Sequence, residues 1–222
     1  MNNVTLLIEN LKEEYTEHPF FLALKDPNRT ITEKLSFLPE MAYFIMSFGD
    51  LNKYILPYAN PIDDLQEAVT IHAKEDEAHW PWYLMDLEEL GFNKEVKLTT
   101  FLKDVWSEKY ASSRRLLYEL IELTTGQSAA VKLAVIEMIE ATGSVFFTSV
   151  YALLERERPE YTTKLLYLGD HHLSRETGHT MGSDDFLLEN LSFNADEFAV
   201  AEERIRKTYA AFRRFMDQYV AN

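Results

Sequence analysis

Apolar residues recur at three- and four-residue intervals along most of the chain, and no stretch of strict polar–apolar alternation rivals them. The pattern predicts an all-α protein of about seven helical stretches with short breaks. The first runs through LLIENLKEEYTEHPFFLAL. The second opens at Thr30, where Thr30 and Glu33 make a capping box, and continues to about Tyr58 with Pro39 as its kink. The third begins after Pro61, carries Asp63 and Asp64 in its first turn and stops at Gly91. A fourth covers Thr99 to Thr125 and stops at Gly126. A fifth runs from Ser128 to Glu157 and is ended by Pro159, and a sixth spans Glu160 to Thr180. The last opens at Asn194, with Glu197 completing a second capping-box-like start. The segment MGSDDFLLENLSF is the best candidate for an irregular connection. No Gly-, Pro- or Ser-rich linker interrupts the rest, so residues 1–222 read as a single domain.

Composition narrows the range of functions. The chain has 222 residues, a formal net charge of −15 and no cysteine. An acidic surface repels phosphate backbones and anionic lipid headgroups, which argues against nucleic acid and membrane surfaces as partners. Without cysteine there are no disulfides, thiolate nucleophiles or thiolate metal ligands. No basic-then-apolar leader is apparent at the start, and no apolar run approaches the roughly 18 residues of a membrane span. These features lead us to expect a soluble, cytoplasmic protein.

Six histidines are present, and five fall in two short clusters. His72-Ala-Lys-Glu-Asp76-Glu-Ala-His79 and His172-Leu-Ser-Arg-Glu176-Thr-Gly-His179 share the pattern His-x3-carboxylate-x2-His. On a continuous helix, positions i, i+4 and i+7 lie within about 60° of one another, so two imidazoles and a carboxylate converge on one point. Borderline cations such as Fe(II), Mn(II) and Zn(II) take that donor set. Leu65, Ala68, Val69 and Tyr83 share the stripe of the first cluster, and Leu165 and Leu168 that of the second, which turns both clusters toward the core. Buried imidazoles and carboxylates are costly unless paired or metal-bound. In the fifth helix Glu140 lies mid-stripe with Leu133, Ile136, Phe147 and Tyr151, where it suits a bridging ligand, and Glu137 one turn earlier is the reserve. Gly143 and Ser144 leave space beside it. Trp80, Trp82 and Tyr83 suit either core packing or the wall of a pocket. Glu75 competes with Asp76, and Asp76 is preferred because Arg175 occupies the position in the second cluster that Glu75 has in the first. His18 reads as a helix-end or core histidine and His171 as solvated.

The late His172-x3-Glu176-x2-His179 motif, the helix of His79 before it and the Glu140 helix between them resemble the heme-oxygenase-like di-iron oxidases. HAKEDEAHWPWYLMDLEELG is similar to a segment of iron-containing redox proteins of that superfamily. EHPFFLALKD and TITEKLSFLPEMAYFIMSFG resemble its first two helices. The resemblance implies a bundle of about seven helices around a central pocket, with metal ligands from three core helices. His172, Glu176 and His179 would be the late ligands, Glu140 the middle carboxylate and His79 the early histidine. Two departures stand out: the family commonly has Glu where this chain has His72, and Asp where it has Glu176. Asp76-x-x-His79 and Glu176-x-x-His179 also approximate the carboxylate-x-x-His elements of ferritin-like di-iron proteins.

The resemblance implies an O2-activating oxidase or oxygenase that uses two irons, or manganese or a mixed Mn/Fe pair, on a small organic substrate. A metal-binding or storage bundle and a cofactorless member of the same fold are the alternatives. A homodimer is the expected assembly from the base rate of soluble oligomers.

Overall fold

The protein, a computed structural model, is described over residues 3–179 and 193–220, with side chains from 175 to 179 outside the described residues. Every regular element among the described residues is helical. α1 spans Asn3–Thr16 and α2 spans Pro19–Ala23, divided at His18, whose ring accepts from the Phe20 N–H as the α2 cap. The second stretch is four pieces rather than one kinked helix. They are α3 (Ile31–Lys34), a 3-10 turn (Leu38–Met41), α4 (Ala42–Asp50) and a π turn (Leu51–Ile55). Pro39 sits at the start of the 3-10 turn, as a residue without an N–H would. The Thr30–Glu33 capping box forms as its residues require.

The third stretch is also divided, into α5 (Asp64–Asp76) and α6 (Trp80–Glu89). α7 (Leu98–Val105) and a 3-10 turn (Glu108–Tyr110) precede α8 (Ala111–Thr124), and Gly126 beyond it takes the positive φ of 73° that ends a helix cleanly. Ser128 caps α9 (Ala129–Glu157), the longest helix, by accepting from the Val131 N–H. The sixth stretch is α10 (Glu160–Lys164) and α11 (Asp170–His179), and α12 (Ala195–Asp217) starts at the Asn194–Glu197 capping box.

α9 is the central element, with α1, α5, α8, α10, α11 and α12 packed on it, and α12 lies in turn against α8 and α1. Its side chains are buried nearly all round in the middle, from Val131 through Val150, so it shows little of the one-sided pattern of a surface helix. Contrary to the sequence expectation, α9 is long and apolar enough to cross a membrane, but 67% of its apolar window is buried inside the protein. Apolar residues from α1 to α12 join one buried cluster.

Candidate metal centre

Asp63 accepts from the Gln66 N–H and starts α5, which sets His72 and Asp76 one turn apart near its end. His72 Nε2 lies 3.3 Å from Asp76 Oδ2. The helix then breaks. Pro81 has no N–H to give to the carbonyl of Glu77, so the α-helical ladder cannot pass residues 77–79, and α6 begins afresh at Trp80. Gly49 of α4 lies against the break: a Cβ there would stand 3.0 Å from the Glu77 carbonyl oxygen and from Trp80 Cδ1. His79 is therefore not the third rung of a helical stripe. It occupies the bend, with Nδ1 3.6 Å from Asp76 Oδ1.

α9 brings Glu140 to the same place, Oε1 3.5 Å from His72 Nε2. One donor atom from each of His72, Asp76 and Glu140 lies within 4.8 Å of the others. From the opposite side α11 delivers His172, whose Nε2 is 3.2 Å from His79 Nδ1, close enough for one proton to be shared. All are buried apart from Glu140, whose side chain is 14% exposed. Asp76 is buried and Glu75 exposed, and Glu140 is the α9 carboxylate that lies beside His72 and Asp76. The side chains of Glu176 and His179 lie outside the described residues.

The two facing imidazoles are clamped. His79 stacks on Trp82 at 4.7 Å and 19°. His172 stacks on Tyr167 at 4.8 Å and 18°, with Phe147 edge-on at 4.4 Å. Of the three aromatic residues near His79, Trp80 lines the cavity beside the cluster, Trp82 holds the ring, and Tyr83 is core, its hydroxyl donating to the Leu38 carbonyl at 2.6 Å. His171 is exposed and meets the edge of Trp82, and the lone His18 pairs with Asp217 at 3.1 Å.

Asp86 is the residue that sequence reasoning missed. It is 2% exposed, and its carboxylate accepts the backbone N–H groups of Leu166, Tyr167 and Leu168 at 2.7, 3.0 and 2.8 Å. Burial pushes its carboxyl up to about 6, against those three donors, which pull it down. This carboxylate ties down the loop 165–169 that carries Tyr167 and leads into α11. Leu165 and Leu168 belong to that loop and not to the helix of His172, though both are buried. Gly169 is required there, because a Cβ would sit 2.3 Å from the carbonyl oxygens of Thr162 and Leu165. A signal for Asp86 existed: an aspartate one turn after Tyr83, on its apolar stripe.

A cavity of about 80 Å³ adjoins the cluster. Phe44, Phe48, Ile139, Phe147 and Phe212 form its apolar wall, and Asp76, His79, Glu140 and His172 its polar end. Gly143 also faces it, and a Cβ there would meet only Phe147 Cε2, at 3.9 Å.

No protein-family model matches the chain, and no curated protein matches its sequence.

His72, Asp76 and Glu140 are placed so that they could hold a metal ion. The contacts of 3.3, 3.5 and 3.6 Å among His72, Asp76, His79 and Glu140 are long for charge-assisted hydrogen bonds, which run about 2.7–2.9 Å. Two ligands each about 2.0–2.2 Å from one ion, at a tetrahedral angle, stand about 3.3–3.6 Å apart. Among the described residues nothing donates a hydrogen bond to the buried Asp76 Oδ1, as with a lone pair available to a cation.

Proposed function

We propose that this chain is a metal-dependent oxidase or oxygenase acting with O2 on a small organic substrate, on a helical bundle of heme-oxygenase-like type. His72, Asp76, His79, Glu140 and His172 would hold two ions, iron in the first instance, completed by Glu176 and His179 of the late motif. The observation that carries the reading is the meeting of His72, Asp76 and Glu140, from helices far apart in sequence, beside an apolar cavity whose polar end includes His79 and His172.

Bound iron would supply the electrons and Lewis acidity that O2 chemistry needs. The chain's own residues do the rest. The phenyl rings of Phe44, Phe48, Phe147 and Phe212 exclude water from the polar end. Trp82 and Tyr167 fix the planes of His79 and His172. To hold an ion, the facing nitrogens of these two imidazoles would have to present lone pairs in place of the proton now between them. Asp86, through the 165–169 loop, holds the approach of α11.

Anaerobic loading with ferrous iron, followed by elemental analysis, tests the reading. Close to two irons per chain, reduced in His172→Ala and Glu140→Ala, with an O2-dependent absorbance change, is the expected result. No iron above background, or a content unchanged in the variants, would refute it. Many irons per chain would indicate storage instead.

A further inference from the structure

The cavity beside the cluster is chemically one-sided. Phe44 and Phe48 of α4, Ile139 and Phe147 of α9 and Phe212 of α12 give it an apolar wall. Among the described residues no Lys or Arg lines it, and the charged groups that do, Asp76 and Glu140, are acidic and sit together at one end. A carboxylate or phosphate entering there would lose its water, gain no cationic side chain and face two carboxylates. His79 and His172 turn their facing nitrogens to each other. What the wall offers a guest is dispersion and the faces and edges of phenyl rings, with few hydrogen bonds to displace.

Volume limits the size of the guest. A dry apolar cavity of about 150 Å³ takes benzene, so one of about 80 Å³ takes roughly three to six non-hydrogen atoms. Two residues set that limit. Gly143, one turn from both Ile139 and Phe147 on α9, leaves room where a Cβ would meet only Phe147 Cε2. Phe48 fills the α4 side and is only half-buried, so its ring can be removed without opening the core.

We propose that this cavity binds a small neutral apolar molecule of about three to six non-hydrogen atoms, a short branched or unsaturated hydrocarbon group, with Gly143 and Phe48 setting its size. That this guest is the substrate rests on the metal-dependent oxidase reading; that it binds does not.

The probe is isoprene, which is uncharged and of this size, added to the metal-free full chain in excess chelator. Binding is followed at the labelled side-chain methyl groups of Ile45 and Ile139, which line the cavity. Isoprene should shift both saturably, with a dissociation constant on the order of 1 mM. Isobutyrate and isobutylamine, of similar size but charged, should bind about tenfold more weakly or worse. Gly143→Leu should weaken isoprene binding by about tenfold or more by filling the space. Phe48→Ala should admit benzene, which the wild type should bind about tenfold more weakly than isoprene. Thermal melting confirms that each variant is folded. Isoprene that leaves Ile45 and Ile139 unmoved, or a charged probe that binds as tightly as isoprene, would overturn the proposal. So would a wild type that takes benzene equally well, or a folded Gly143→Leu protein that binds isoprene unchanged. Because the titration is run without metal, an iron count near zero would sink the oxidase reading and leave this result standing, and the reverse also holds.

Discussion

Replacing Asp86 with alanine removes the acceptor of three backbone N–H groups while leaving the apolar packing nearly intact. The Leu168 N–H is in a buried residue, and losing a charged acceptor there costs about 2–3 kcal/mol. Leu166 and Tyr167 are half-buried, so water can replace part of what they lose, at about 1 kcal/mol each. The sum is about 4–5 kcal/mol. For a chain of this size 1 kcal/mol moves the melting temperature by about 2–4 °C, so Asp86→Ala should melt roughly 10–15 °C below the wild type. Asp86→Asn keeps one acceptor oxygen but turns an amide N–H toward a donor, and should lose about half as much. The assay is thermal and urea unfolding in excess chelator, which removes any contribution of bound metal. A melting temperature for Asp86→Ala within about 3 °C of the wild type would show that the loop 165–169 is held by its apolar contacts alone and that the role assigned to Asp86 is wrong.

The same carboxyl has a pH signature. With its folded-state value raised from 3.8 to about 6, the stability it contributes is full below 3.8 and is lost as pH rises through 6. Relative to Asp86→Asn, the wild type should therefore lose about 3 kcal/mol between about pH 4 and 7, read from paired urea titrations. A difference flat with pH would contradict it. Gly143→Ala should gain about 0.5–1 kcal/mol, since a mid-helix glycine gives way to a Cβ with only an ordinary contact, while shrinking the cavity and any turnover housed there. Loss of stability would show that the space beside Glu140 is not open. Gly169→Ala, with its Cβ 2.3 Å from two carbonyl oxygens, should lower the melting temperature more than Asp86→Ala does. Ferrous or manganous ion at about a hundred times its dissociation constant should stabilise the wild type by about 2.7 kcal/mol and His72→Ala much less, measured by anaerobic thermal shift.

Local signals that depend on adjacent residues were legible in the sequence. Ser128, Asn194 and the Thr30–Glu33 pair cap the helices they precede, because a side-chain oxygen and the free N–H groups it serves lie within three residues of each other. Pro81 held the signal for the break before α6, and the continuous His72–Asp76–His79 stripe overlooked it. Gly169 likewise stood in the sequence three residues before His172, but the carbonyl groups that crowd it appear only once the chain folds back on itself. Spacing alone determined that His72 and Asp76 meet, since one helical turn separates them. Which side of the break His79 faces, that its neighbour is His172 ninety-three residues later, and that Glu140 closes on His72 were decided by how α5, α9 and α11 pack. The anchoring of the loop by Asp86 belongs to the same class. Periodicity says which face of a helix is buried, whereas the partner that face meets, and the angle at which it arrives, depend on every other helix in the bundle.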